Sequence, residues 1–207
     1  MESKPVTVIH RASIVNEGRA FTGYVAVEGE FITAVGEGEA PAELIAGADS
    51  VVDAAGRLLL PGIIDTHVHF RLTHKADMAT ESLATVAGGV TSFIDMPNTR
   101  PATVSTEAVE AKMRRASEVS LANYGFFIGA TADNIDALAT ADYSSIAGVK
   151  LFLGSSTGGM LLTEQEYLEK LFSTVPALIA VHAEDEAILR ANRDAVVARY
   201  GENLTMD

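Results

Sequence analysis

The chain has 207 residues, 48% hydrophobic and 21% charged, enough apolar content for a sizeable core and too much for disorder, collagen or a coiled coil. Twenty-eight acidic residues against fifteen basic ones leave a formal charge of −13, which disfavours a nucleic-acid surface or an anionic membrane face. Cysteine is absent, which excludes disulfides, thiolate nucleophiles and cysteine zinc sites. The first residues lack a signal peptide's apolar stretch, and no apolar run reaches transmembrane length, so a cytoplasmic globular protein is expected.

Residues 1–57 alternate apolar and polar side chains over short runs such as Tyr24–Val27 and Phe31–Val35, with glycines and acids between them. Period-2 runs broken by turn residues predict short antiparallel strands in a small β module. From Leu58 to residue 207 the pattern changes. Apolar runs at Leu58–Val68, Val90–Met96, Tyr124–Ala130, Ala147–Leu153 and Ala177–His182 predict buried strands, and helix-like segments fill the gaps.

Among those segments, Ala76–Ala87 is alanine-rich, and Glu107–Glu118 follows Ser105 and Thr106 as N-cap candidates. Thr163 to Glu166 fits a capping box ahead of Tyr167–Phe172, and Ala183–Tyr200 stops at Gly201. Strands alternating with helices imply right-handed βαβ units and a parallel sheet. Five units are visible. They would suit either a complete doubly wound sheet or five-eighths of a (β/α)8 barrel, which typically needs ~250 residues.

The sharpest chemical feature is Pro61-Gly62-Ile63-Ile64-Asp65-Thr66-His67-Val68-His69-Phe70-Arg71. His67 and His69 stand two apart on a strand, so both imidazoles leave one face. They lie at the strand's C-terminal end, where barrels and open α/β sheets place their sites, and two converging imidazoles suit a divalent metal. Lys150, inside the apolar run Gly148–Leu153, is either a snorkelling surface residue or a buried amine able to take up CO2 as a carbamate. His182 ends the fifth run at the same presumed mouth.

Arg71 follows His69 by two and could clamp a carboxylate bidentately. Asn98, between Pro97 and Pro101, could hydrogen-bond a substrate or form an Asx turn. His10 and His74 lack a strand-end placement and read as structural or surface residues. The run from Gly154 to Gly159 lacks the phosphate-loop lysine pattern and reads as a mobile loop over the mouth.

Taken together, VVDAAGRLLLPGIIDTHVHFR, AGGVTSFIDMPNTRP, YGFFIGAT, GVKLFLG and VHAEDE resemble the amidohydrolase superfamily and, within it, the dihydroorotases. The resemblance implies a partial TIM-like metal-dependent hydrolase barrel, residues 58–207, with the N-terminal part of a small β-sandwich, residues 1–57. It implies reversible hydrolysis of L-dihydroorotate to N-carbamoyl-L-aspartate in pyrimidine biosynthesis. His67 and His69 would hold one zinc ion, a carboxylated Lys150 would bridge, and His182 would hold the second. Arg71 and Asn98 would grip the substrate carboxylate.

The tetrapeptide Met96-Pro97-Asn98-Thr99 is more similar to dihydroorotases than to allantoinases, which tend to place a leucine before the asparagine. Arg71-Leu72-Thr73-His74 departs from the Arg-Glu-Pro-Gly of many members. A small-molecule substrate and a homodimer are implied, and neither a nucleic acid nor a membrane is expected as a partner. The family's catalytic aspartate and a further histidine would lie beyond residue 207. The 207 residues are therefore expected to belong to a longer polypeptide, to bind metal weakly alone and to hydrolyse nothing measurable. The competing readings are an allantoinase- or dihydropyrimidinase-like hydrolase and a non-catalytic assembly protein on the same scaffold.

Overall fold

The computed structural model describes residues 4–70, 77–154 and 159–202, which fall into two compact units meeting at Gly62 and Ile63. The expectations for Arg71, His74 and the centre of the glycine-serine loop, 155–158, lie outside the described residues.

The first unit is one mixed sheet. It contains β1 (Val6–Asn16), β2 (Arg19–Glu28), β3 (Phe31–Glu37), the short helix α1 (Ala42–Ala46), β4 (Ser50–Asp53) and β5 (Leu58–Leu59). β1–β2–β3 form an antiparallel meander. Its first turn has Glu17 and Gly18 both at positive φ, 50° and 74°, the twist that a two-residue hairpin loop requires. The expectation of purely antiparallel pairing fails beyond β3. β4 and β5 both lie parallel to β1, because the chain crosses back through α1 before re-entering the sheet. A small core of Ala12, Ile14, Val25 and Ala54 holds one face together.

The second unit alternates strand and helix: β6 (Ile63–Val68), α2 (Met78–Ala87), β7 (Val90–Asp95), α3 (Thr106–Val119), β8 (Asn123–Gly129), α4 (Ile135–Thr140), β9 (Gly148–Phe152), α5 (Gln165–Thr174), β10 (Ile179–His182) and α6 (Glu186–Tyr200). All strand pairs are parallel, and the sheet runs β6-β7-β8-β9-β10 in strict chain order. A doubly wound sheet reverses its strand order at a switch point. Here there is no reversal, so the sheet is the arc of a TIM-like barrel.

The predicted continuous run Leu58–Val68 is two strands. Pro61 supplies no N–H, and Pro61-Gly62 breaks the ladder, so Leu58–Leu59 pairs with β1 while Ile63 starts the second sheet. α3 and its Ser105 cap match expectation, with the Ser105 hydroxyl accepting from Ala108 N. The expected capping box before α5 does not form. Glu164 turns its carboxylate back to the Thr163 amide, and α5 begins without a side-chain cap. α6 starts at Glu186 rather than Ala183, because Asp185 accepts from both Ala187 and Ile188 amides and fixes the first turn there.

The main core lies between the parallel sheet and the helices. Phe93, Phe126, Ile128, Val149 and Leu151 face Val109, Ala116, Leu138 and Leu171. β9 is buried along its whole length. Among the described residues no helix is long and apolar enough to cross a membrane.

Candidate functional site

Strand alternation sets the site. Val149 and Leu151 of β9 belong to the helix-side core, so Gly148, Lys150 and Phe152 take the other face. Lys150 is 3% exposed, with Nζ 5.3 Å from the Phe152 ring centroid. No carboxylate or hydrogen-bond acceptor among the described residues meets that amine. Burial pushes the Lys150 ammonium below its ordinary pKa, because nothing replaces the hydration it has lost.

β10 registers on β9 with Ala180 opposite Lys150 and His182 opposite Phe152. His182 therefore sits one same-face step nearer the C-terminal end than Lys150, about 8 Å away between Cα atoms by ordinary strand spacing. Its ring lies tilted at 48° to that of Phe152, with centroids 6.1 Å apart. Glu184 Oε2 lies 3.5 Å from His182 Nε2, and Glu184 itself packs over Gly154, leaving no room there for a Cβ.

Across the sheet, His67 and His69 stand at the end of β6 with ring centroids 5.2 Å apart, as their two-residue spacing predicts. His69 Nδ1 lies 2.7 Å from Asn98 Oδ1. A carboxamide oxygen only accepts, so Nδ1 carries the proton and the ring lone pair falls on Nε2. Asn98 is buried in a loop stitched by Thr99 and Thr103 amides donating to Pro97 O.

The sequence reading passed over the group beneath this strand end. Asp95, wholly buried at the end of β7, accepts from the Phe70 amide at 2.9 Å and from Lys112 Nζ of α3 at 2.6 Å. Burial pushes the Asp95 carboxyl up and the Lys112 ammonium down, each opposed by attraction to the other. Lys112 shares the i, i+3, i+4 stripe of Val109, Met113 and Ala116, so a lysine on a buried helix face was the available signal.

The donor set fits divalent ions only if Lys150 becomes a carboxylate. No three His, Asp or Glu side chains among the described residues are gathered closely enough to hold an ion. A buried amine with no polar partner among the described residues, on the same strand face as His182, is the atom that CO2 would convert into such a ligand. An open cleft of about 670 Å3 lies beside this set. Leu153, Thr163, Glu184, Asp185 and Arg190 line it, but none of the four proposed ligands does.

A family model described as dihydro-orotase-like matches residues 56–200. The dihydroorotase of Methanosarcina mazei is 37% identical over 148 residues, 69% of this chain and 32% of that protein. The allantoinase of Solibacter usitatus is 33% identical over 202 residues, 91% of this chain and 42% of that protein. Among solved structures, an L-hydantoinase (dihydropyrimidinase) from Arthrobacter aurescens superposes with a TM-score of 0.80 at 23% identity, covering 95% of this chain and 44% of that one. That likeness carries the fold. The chain thus spans about a third to two fifths of the length of these dihydroorotase and allantoinase relatives. With its five parallel strands in barrel order and the family match across residues 56–200, the chain belongs to the dihydroorotase-like family.

Proposed function

We propose that these residues form the metal-binding part of a cyclic amidohydrolase of dihydroorotase type, interconverting L-dihydroorotate and N-carbamoyl-L-aspartate in the cytoplasm as a homodimer. The observation that carries this reading is Lys150, a buried amine without a polar partner among the described residues, on the strand beside His182. In the neutral amine the nitrogen lone pair bonds the carbon of CO2 and a proton leaves nitrogen, giving a carbamate. His67 and His69 would hold one divalent ion, most simply zinc, the Lys150 carbamate would bridge, and His182 would hold the other. When bound, the ions supply Lewis acidity at the reacting carbonyl and acidify water.

The chain's own residues do the positioning. Asn98 Oδ1 fixes the His69 ring so that Nε2 carries the lone pair. Its amide NH2 and the Arg71 guanidinium are the donors proposed for the substrate carboxylate. The burial of β9 keeps water away from the Lys150 stem, which favours the neutral amine that reacts with CO2.

An allantoinase-type reading has its own support, the 33% identity to the Solibacter usitatus protein over 91% of this chain. Turnover by zinc-loaded protein purified from its natural source separates the two. Hydrolysis of L-dihydroorotate is expected to exceed that of allantoin by about 10,000-fold, the discrimination open to a site that binds a polar group one substrate has and the other lacks. Preference for allantoin would replace the substrate assignment, and inactivity on both would favour the non-catalytic assembly role.

A further inference from the structure

One contact holds the ring of His69, and two more hold the residues on either side of it. The Met96 amide donates to Val68 O at 2.9 Å, and the Phe70 amide donates to Asp95 Oδ1 at 2.9 Å, so residues 95 and 96 grip His69 on both of its flanks. Asn98, three residues past Asp95, meets the His69 ring. Lys112 then ties this short segment to α3, donating to Asp95 Oδ2 at 2.6 Å and reaching Met96 O at 3.4 Å. The lysine is 16% exposed at its side chain and lies 5.4 Å from the Phe126 ring centroid, so its charge is committed to the clamp rather than to solvent.

We propose that Lys112 and Asp95 are positioning residues, a buried ionic clamp that sets the orientation of the His69 imidazole from the outer helix layer. The inference rests on the metal reading above for its purpose, and on the contacts just given for its geometry. An exposed ion pair would contribute little to such a fixation. A buried pair that also takes a backbone N–H and approaches a backbone carbonyl has one arrangement that satisfies every group. If the pair is lost, Asp95 no longer anchors both Phe70 and α3. The loop carrying Asn98 then loses its fixed distance to His69.

Deleting Lys112 alone leaves a buried, uncompensated carboxylate and can unfold the chain. The test therefore uses Asp95→Asn combined with Lys112→Met, which keeps an acceptor for the Phe70 amide and removes both charges. Leu138→Ala, on the buried face of α4, serves as a control that loosens the unit without touching the clamp. Two readouts are taken on the protein at its native length: ring 15N shifts of His69 without metal, and zinc affinity by calorimetry.

In the double variant the His69 signals are expected to move from a single Nδ1-protonated tautomer toward a mixture. Zinc binding should weaken about 10- to 100-fold, the usual consequence of losing an outer-shell partner. The control should move neither. Unchanged His69 ring signals in the double variant, or equal changes in Leu138→Ala, would overturn the clamp. If the unaltered chain takes up no zinc, the metal reading fails, and the ring signals alone decide whether the clamp exists.

Discussion

Lys150→Met is expected to raise the unfolding free energy of the metal-free chain by about 1–3 kcal/mol, the usual cost of a buried donor left without an acceptor. The same substitution should weaken zinc binding by about 100-fold or more, at or beyond the range that loss of an outer-shell partner alone produces. The two effects have opposite signs for one reason. Lys150 is 3% exposed on a strand buried throughout, with its Nζ 5.3 Å from the Phe152 ring centroid. Methionine fills similar space without the desolvated amine, so the fold gains while the proposed ligand is lost. Such opposition marks a residue retained for function at the expense of stability. Urea titrations of metal-free protein and zinc calorimetry read the two effects separately. A destabilised Lys150→Met would show that the amine is well partnered in the native state and would remove the case for its carboxylation.

Phe126→Ala is expected to destabilise the parallel-sheet unit by about 3–5 kcal/mol, as large-to-small changes at closed core sites do. Phe126 is fully buried on β8, at the centre of the sheet between β7 and β9. It packs into the cluster that joins the strands to α3 and contacts the Lys112 ammonium through its ring face. The cavity would therefore open beneath both the core and the Asp95–Lys112 pair. Amide exchange should show protection lost across β7, β8 and β9 together, since these strands share that cluster. Loss confined to β8 would mean that β7 and β9 do not depend on this side chain.

Much of this architecture was legible in the amino-acid order because the signals are local. Apolar runs separated by helix-length gaps located β7, β8, β9 and β10, and the two-residue spacing of His67 and His69 set both rings on one face. The βα pattern alone did not decide strand order, since five units suit a doubly wound sheet or a barrel arc; the family resemblance supplied the barrel, and the hydrogen-bond ladders bear it out. α4 has only six residues and buries just Ile135 and Leu138, too little periodicity to distinguish from loop.

Capping was misread where two acids competed. Glu164 satisfies the Thr163 amide, and Asp185 rather than a residue near Ala183 starts α6. The partnership of Asp95 with Lys112 crosses from strand to helix over 17 residues, and that of His69 with Asn98 crosses 29. Tertiary contacts of this kind leave no mark on spacing. A charged residue within an otherwise apolar strand or stripe was the sole hint for Asp95 and Lys112, and it does not name the partner.

His67, His69, Lys150 and His182 are proposed to hold divalent metal with Lys150 as a carbamate, and anomalous scattering at the zinc edge from crystals of the zinc-loaded protein puts this to the test. One zinc peak is expected at the His67 and His69 imidazoles and a second at His182, with continuous density from Lys150 Nζ to a carboxylate between them. Zinc peaks remote from these four residues, or an unmodified Lys150 amine beside fully occupied zinc, would contradict it.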